Sequence, residues 1–283
     1  AGIPLAGLTS ESRAAIFYAI NKNEFKKNVS RGGVVFDLGS STLDFTYLNF
    51  DELEPIDQGY PCGASIIEQA IFNQLLLKNS VFSDFLKKHS KYKDALLFEC
   101  RKKKEAIYNT NDTNLRVRGK IELADIMCCS DSFSEEEINK YEDAELKLKF
   151  SNVDEFNEWL EQVCHYKTDI ENAIRDYLNR WICDKKVYGV YLTGGATRMN
   201  FLRPIVAKMF QLSDEQVKAD SEPSLTVSRG IALIGTADVI TAVLRKDLER
   251  KKEQLIEPQR ISAGMDKLVQ DMAGCISDAS WNV

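Results

Sequence analysis

The sequence has little of what zinc sites, collagen-like repeats and disordered segments require. Its 283 residues include only two histidines, six prolines and 15 glycines, whereas hydrophobic residues make up 44%. Structural zinc sites usually take four Cys and His ligands in closely spaced pairs, and the sequence contains no CxxC pair. The composition therefore predicts a globular chain with a sizeable core, and it excludes a disordered or collagen-like protein.

The sequence also lacks a strong basic or hydrophobic bias. Its 37 basic and 43 acidic residues give a net charge of −6, so we expect no general attraction to nucleic acid or to anionic membranes. The longest apolar stretch, Gly230 to Leu244, has 15 residues and contains Asp238. That length and polarity predict a segment that is too short and too polar to span a bilayer, so no membrane partner is expected.

Acidic residues are concentrated in one segment. Residues 130–145 hold seven acids and one lysine, so the net charge of this segment equals that of the whole chain. Such a run usually forms a solvated loop, and we favour that interpretation over recognition of a basic partner.

Cysteine usage indicates the compartment. The chain has seven cysteines, an odd number without paired spacing. This pattern favours free thiols in a reducing environment and therefore a cytoplasmic location.

The hydrophobic pattern predicts alternating helices and strands. Strands are predicted at 33–39, 42–49, 54–58, 115–118, 120–125, 147–150 and 187–193, with Gly119 separating the fourth from the fifth. Helices are predicted at 11–22, in two or three pieces over 63–108, in two pieces over 153–182, at 198–210, from Pro223 onward, and in the charged tail 246–283. Strand-rich ends around a helical middle predict an α/β domain with an inserted subdomain.

The stretch from Phe36 to Asp44 combines an acidic strand end with a turn of small residues. Asp37 ends the first predicted strand, Gly39-Ser40-Ser41 form the turn, and Thr42 opens the next strand. Small turn residues let phosphate oxygens approach backbone N–H donors, and a carboxylate at a strand end can hold hydrated Mg²⁺ through water. The alternative is an ordinary hairpin with an Asp in its turn. When this motif is considered by itself, the hairpin is the favoured interpretation.

A second stretch, Leu192 to Arg198, places two glycines between a buried strand and a helix. Gly194 and Gly195 would let a flat ring lie against the backbone, and Arg198 could stack its guanidinium on a base. A tight strand-to-helix turn is the alternative. Because an arginine at the start of a helix is unfavourable with the helix dipole, the motif favours a functional role for Arg198.

Together with two further segments, these motifs resemble the heat-shock-protein-70 family. DLGSSTLD at 37–44 is similar to that family's phosphate motif DLGGGTFD, and LTGGATRMNFL at 192–202 is similar to its adenosine motif VGGSTRIP. ESRAA at 11–15 is similar to the family's EPTAA, and EPSLTVSRG at 222–230 to the NPDEAVAYG that opens its last helix. The four segments occur in the family's order, and the resemblance covers roughly residues 1–245.

The resemblance implies a ribonuclease-H-like (actin-like ATPase) α/β domain with an inserted α+β subdomain. The implied boundaries are 1–63 and 166–245 for the ATPase subdomain, 64–165 for the insert and 246–283 for a helical tail. Only the family's second lobe is matched, because its first phosphate motif and catalytic lysine have no counterpart here. The implied cofactors are ATP or ADP with Mg²⁺, and the implied partners are the missing lobe I and peptide clients or co-chaperones.

The resemblance also implies residue roles. Glu11 and Asp37 would hold Mg²⁺ through bound water and would also orient the attacking water. Thr42 would act with them at the phosphates. The other implied contacts to phosphates, adenine and ribose are Gly39, Ser40, Ser41, Lys104, Gly194, Gly195, Ala196, Arg198 and Ser224. Lys102 is an alternative to Lys104 in the same basic run, and a solvated helix face is the other interpretation of that run.

Departures from the family pattern indicate a divergent relative. Ser40 and Ser41 replace glycines, and Arg101 stands where the family has an acidic adenosine contact. We therefore expect the ATP-binding lobe of a divergent ATPase or chaperone, inactive as a hydrolase without lobe I. The alternatives are a lobe of a sugar-kinase-type phosphotransferase and an interaction module that keeps the fold without turnover.

Overall fold

The structure, a computed structural model, combines α-helices with two β-sheets. It describes residues 11–21, 31–49, 55–109, 117–128, 133–220, 222, 225–254 and 269.

Five strands form the main sheet and two form a small one. In chain order the strands are β1 Gly33–Leu38, β2 Leu43–Leu48, β3 Ile56–Tyr60, β4 Val117–Glu122, β5 Glu145–Phe150, β6 Gly189–Thr193 and β7 Val217–Ala219. The main sheet has the order β3-β2-β1-β6-β7, in which β2 is antiparallel to both neighbours and β1, β6 and β7 are parallel. β4 and β5 pair antiparallel in the small sheet, which lies between β3 and β6 in the chain.

Helices occupy most of the remaining described chain. They are α1 Glu11–Asn21, α2 Ser65–Lys78, α3 Ser80–Lys88, α4 Lys93–Tyr108, α5 Leu123–Met127, α6 Glu135–Tyr141, α7 Val153–Cys164, α8 Tyr166–Asp176, α9 Leu202–Met209 and α10 Thr226–Gln254. The predicted α/β class is confirmed at this level.

Alternation along β1 buries both faces of the main sheet. Val34, Phe36 and Leu38 are fully buried in the larger core, whereas Val35 packs with α1 residues such as Ala15 on the opposite face. Phe36 meets Phe45 of β2 edge to face, with ring centroids 5.1 Å apart. Burial of one such side chain stabilises the fold by about 1.5–3 kcal/mol. Since side chains are buried on both faces, packing stabilises the hairpin from both sides of the sheet.

The prediction of two strands broken at Gly119 is wrong. β4 runs without interruption from Val117 to Glu122, and Gly119 pairs with Leu148 of β5. Continuous pairing with β5 outweighs the weak strand preference of one glycine.

The prediction of a loop over the acidic segment is also wrong within its described part. α6 begins after Ser134, whose side chain accepts from the Glu137 amide while the Glu137 side chain accepts from the Ser134 amide. Glu135 and Glu136 stay exposed in the first turn, where acids complement the helix dipole. The segment is therefore solvated, as expected, but helical.

α10 is longer than the apolar stretch that the sequence analysis considered. Within the described residues it is the one helix long and apolar enough to cross a membrane, with an 18-residue window of mean hydropathy 1.6. The expectation that this segment is too short and too polar to span a bilayer is therefore wrong, because the helix extends past residues 230–244 at both ends. The finding concerns length and composition alone, which core helices of soluble proteins share.

One face of α10 packs against α1, and another is exposed. A Cβ added at Gly230 would overlap the backbone of Ala14 in α1, so only glycine permits this approach. Ile231, Val239 and Val243 are each about half exposed or more. α10 thus carries an apolar surface that the described residues do not cover.

We predict that Gly230→Ala destabilises the chain, because the two helix backbones would have to separate. The expected loss is about 1–3 kcal/mol of unfolding free energy, the usual cost of overpacking. The matched control is Gly235→Ala in the same helix, where an added Cβ meets no atom within 4 Å. Gly235→Ala should raise stability by up to about 1 kcal/mol through helix propensity. Urea unfolding of both variants measures the difference, and equal midpoints would contradict the close α1–α10 contact.

Candidate functional site

Residues distant in the sequence line one cleft of about 330 Å³. One wall is the β1–β2 turn with the start of α2, another is the end of α4, and the third is the 3-10 turn that follows β6. The lining residues are Gly39, Ser40, Ala64, Arg101, Lys104, Glu105, Tyr108, Asn109, Gly195, Ala196, Arg198 and Met199.

The β1–β2 turn is held by backbone hydrogen bonds on its carbonyl side. The Gly39 N–H donates to the Thr42 carbonyl over 3.0 Å, and the Ser65 N–H at the start of α2 donates to the Ser40 carbonyl over 2.8 Å. A Cβ at Gly63 would overlap the turn backbone, so glycine is required there for space. Among the described residues, the amide N–H groups of Ser40 and Ser41 donate to no backbone carbonyl, which leaves them available to an anion.

Three carboxylates gather beside this turn. Asp37 and Asp44 are opposite each other in the β1–β2 ladder and so lie on the same face of the sheet. Burial raises the pKa of Asp37 from 3.8 to about 6, with smaller contributions from the charges of Asp44 and Glu11. Glu11 is therefore near enough for its charge to affect Asp37, and Asp44, to which the sequence analysis gave no role, lies directly opposite Asp37.

Thr42 lies next to the cleft without lining it, and its role at the phosphates stays a prediction. Its hydroxyl donates to Asp44 Oδ2 over 2.7 Å, and Thr42 is not among the cleft-lining residues. The side chain therefore orients a carboxylate in this structure.

Across the described residues, no three His, Cys, Asp or Glu side chains lie close enough to bind a metal ion directly.

The turn after β6 needs its first glycine for two reasons. Gly194 has a φ of +89°, and a Cβ there would overlap Asp37 Oδ1 and the Leu38 carbonyl. Gly195–Arg198 then form a 3-10 turn, within which the Thr197 hydroxyl donates to the Gly194 carbonyl over 2.7 Å. The predicted helix 198–210 is corrected accordingly, since the α-helix spans Leu202–Met209 only.

α4 supplies a buried cation to the cleft. Lys104 is 8% exposed, and its Nζ lies 2.6 Å from Glu68 Oε1 and 3.4 Å from the Ala64 carbonyl oxygen. The alternative, Lys102, pairs with Glu99 on the exposed side of α4 and does not line the cleft. Of the two lysines, the structure therefore places Lys104 at the site.

Two hydrogen-bonded arginines flank the cleft. Arg101 Nε donates to Glu105 Oε1 over 2.8 Å, and Arg198 Nη1 donates to Asn109 Oδ1 over 2.8 Å. Glu105 and Asn109 were missed by the sequence analysis. The four-residue spacing of 101, 105 and 109 was the available signal, because it places all three on one side of a helix.

The structure thus brings together six of the predicted residues at the cleft itself. They are Gly39, Ser40, Lys104, Gly195, Ala196 and Arg198. Asp37, Ser41, Thr42 and Gly194 belong to the adjoining β1–β2 hairpin and β6 turn, and Glu11 begins α1. Ser224 lies outside the described residues.

The described cysteines have no part in the cleft. Cys62, Cys100, Cys128, Cys164 and Cys183 are free thiols, in agreement with the prediction. Burial raises the pKa of Cys62 and of Cys100 to about 12, so both thiols are protonated at neutral pH and are poor nucleophiles.

Comparison with known proteins does not assign a family. No protein-family model matches the chain, and a search of curated proteins finds no match.

We predict that Asp37 makes the chain less stable as pH rises. The folded state holds the proton of the Asp37 carboxyl group more tightly than the unfolded state does. The unfolding free energy therefore falls as the pH rises from 4 to 6. Asp37→Asn should remove that loss and stabilise the chain at pH 7 by up to about 3 kcal/mol. The control is Asp84→Asn, which alters an exposed aspartate paired with Lys87 and should change stability by less than about 0.5 kcal/mol. Urea unfolding at pH 4, 5, 6 and 7 is the measurement, and parallel pH profiles for wild type and Asp37→Asn would contradict the prediction.

Proposed function

We propose that this chain is the ATP-binding second lobe of a divergent heat-shock-protein-70-like ATPase. The observation that carries the proposal is the convergence of three segments, 37–44, 101–109 and 194–198, on one cleft. Each segment contains residues that the family resemblance implies as nucleotide contacts, namely Asp37 to Thr42, Lys104, and Gly194 to Arg198. A volume of about 330 Å³ lies within the usual range for small-molecule sites.

The strand arrangement supports a ribonuclease-H-like domain. In the five-stranded sheet, only β2 runs against the other strands, and the chain leaves the sheet after β3 and returns at β6. The intervening residues form helices and the separate β4–β5 sheet, which supports an inserted α+β subdomain. The proposed boundaries of that subdomain remain 64–165.

In this proposal, adenosine binds between α4 and the 3-10 turn. Gly195 has open space around its Cα, since an added Cβ would meet no atom within 4 Å. A flat base can therefore approach the backbone there, and the Arg198 guanidinium can cover its other face. Lys104 retains one N–H beyond its bonds to Glu68 and Ala64, and this donor suits a ribose oxygen.

The phosphates would bind at the free amides of Ser40 and Ser41. The nearby carboxylates of Glu11, Asp37 and Asp44 fit a hydrated Mg²⁺ held through water, in keeping with the absence of a direct three-ligand group among the described residues. When bound, the ion supplies neutralisation of phosphate charge. Because its pKa is about 6, Asp37 is ionised at neutral pH and can accept a hydrogen bond from the attacking water.

We further propose lobe I as the partner of this chain. The carboxylates and the hairpin amides all approach the phosphate site from one side, whereas phosphoryl transfer needs charge stabilisation around the whole group. The exposed apolar residues of α10 also support a partner surface. A cytoplasmic location, peptide clients and co-chaperones stay predictions.

An interaction module without turnover is the second candidate, and one observation favours it. Lys104 and Arg101 are already paired with Glu68 and Glu105, so two of the cations at the cleft are neutralised within the protein. A sugar-kinase-type lobe is less well supported, because Arg198 after Gly194-Gly195 fits the heat-shock pattern better.

We predict that the 283-residue chain binds ADP weakly and that Arg198→Ala weakens this binding roughly 2- to 30-fold through loss of stacking. The matched control is Arg203→Ala, because Arg203 is exposed and donates to the Asp214 carbonyl away from the cleft. Calorimetric titration measures both affinities. Absence of ADP binding, or equal losses in the two variants, would contradict the proposed adenosine site.

We also predict that the chain alone hydrolyses ATP no faster than buffer. Each missing transition-state donor costs roughly 100- to 1000-fold in rate, and lobe I would supply several. Phosphate release from ATP over hours is the measurement. Turnover above background that disappears in Asp37→Asn would show a catalytically complete chain, and the lobe assignment would then be wrong.

A further inference from the structure

Arg198 is held by a residue from the opposite wall of the cleft. Its Nη1 donates to Asn109 Oδ1 over 2.8 Å, although the two residues are 89 positions apart in the sequence. Arg198 ends the 3-10 turn after β6, and Asn109 directly follows α4. Both side chains line the cleft, so this bond joins two of its walls.

The backbone at Asn109 is anchored, although its side chain is exposed. The Asn109 N–H donates to the Glu105 carbonyl over 2.9 Å, which continues the α4 hydrogen-bond pattern. The preceding Tyr108 donates its hydroxyl to Asn157 Oδ1 over 2.7 Å, and Asn157 is buried. Asn109 therefore presents its amide from a packed helix end.

The chemistry of the bond leaves the charge of Arg198 available. Arg101 is paired with the carboxylate of Glu105 and is neutralised by it, whereas Asn109 is a neutral amide. A guanidinium has five N–H donors, and this bond uses one of them. No described carboxylate forms an ion pair with Arg198, so within the described residues Arg198 is oriented without being neutralised, which is what stacking on an electron-rich ring requires.

We propose that Asn109 is a positioning residue that fixes the Arg198 guanidinium over the cleft so that it stacks on a purine base. This inference rests on the proposed function, since it assigns a base to the cleft. An unrestrained arginine loses rotamer freedom when it stacks, and a side chain that is already oriented loses less. Asn109 therefore acts on the ligand through Arg198.

The test is a double-mutant cycle on the full 283-residue chain with ADP as the probe. Asn109→Ala should weaken ADP binding roughly 2- to 10-fold. In the Arg198→Ala background the same change should have no effect, because its target is gone. Asn109→Gln keeps a neutral amide acceptor for Arg198 and should restore affinity to within about 2-fold of wild type.

The matched control is Asn172→Ala. Asn172 accepts from Arg175 Nη1 over 2.7 Å in a similarly exposed pair on α8, outside the cleft lining. This variant should bind ADP as wild type does. Thermal unfolding of every variant accompanies the titrations, and we expect unchanged midpoints because both pairs are exposed.

Each outcome bears on the inference. Equal ADP affinities of wild type and Asn109→Ala would overturn it while leaving the proposed function intact. Tighter binding by Asn109→Ala would also overturn it, because the bond would then obstruct the cleft. A loss that persists in the Arg198→Ala background would show a direct ligand contact instead. If the wild-type chain does not bind ADP, the proposed function fails first and this inference fails with it.

Discussion

The whole site depends on close backbone packing around the β1–β2 turn. Glycines approach this hairpin from both sides, Gly63 against the turn itself and Gly194 against Asp37 and the Leu38 carbonyl. Hydrogen bonds from the start of α2 occupy the turn carbonyls, so the turn amides face the other way. A side chain at either glycine would push the hairpin out of line with the α4 wall and the β6 turn. The cleft therefore exists because two peptide segments can approach without a Cβ between them.

Charge in this region opposes stability. Asp37 and Asp44 face each other across a ladder in which like charges are unfavourable, and burial makes ionisation of Asp37 harder still. A fold selected only for stability would place neutral residues there. Electrostatic repulsion of this kind commonly coincides with functional sites, and in the proposed function a bound cation would relieve it.

Along the α4 wall and the 3-10 turn after β6, the geometry separates cations that are neutralised from one that is not. Lys104 is bonded to Glu68, Arg101 to Glu105 and Arg198 to the uncharged Asn109. These pairings differ in what they leave for a ligand: a single N–H donor from Lys104, little charge from Arg101, and an oriented positive plane from Arg198. The arrangement suits a flat, uncharged ring with a hydroxylated sugar better than a second anion.

The sequence by itself determined the local features of this protein. The apolar run of β1 and the apolar–polar alternation of β2 indicated two strands, and the small residues at 39–41 and 194–195 marked the turns, since these properties depend on neighbours a few residues away. Other features needed tertiary structure. Pairing with β5 carries β4 through Gly119, burial selects Lys104 over Lys102, and helix ends far apart in the chain bring Asn109 to Arg198. Local periodicity states which face of an element is buried, but the partner across that face is set by packing between elements, which no local pattern encodes.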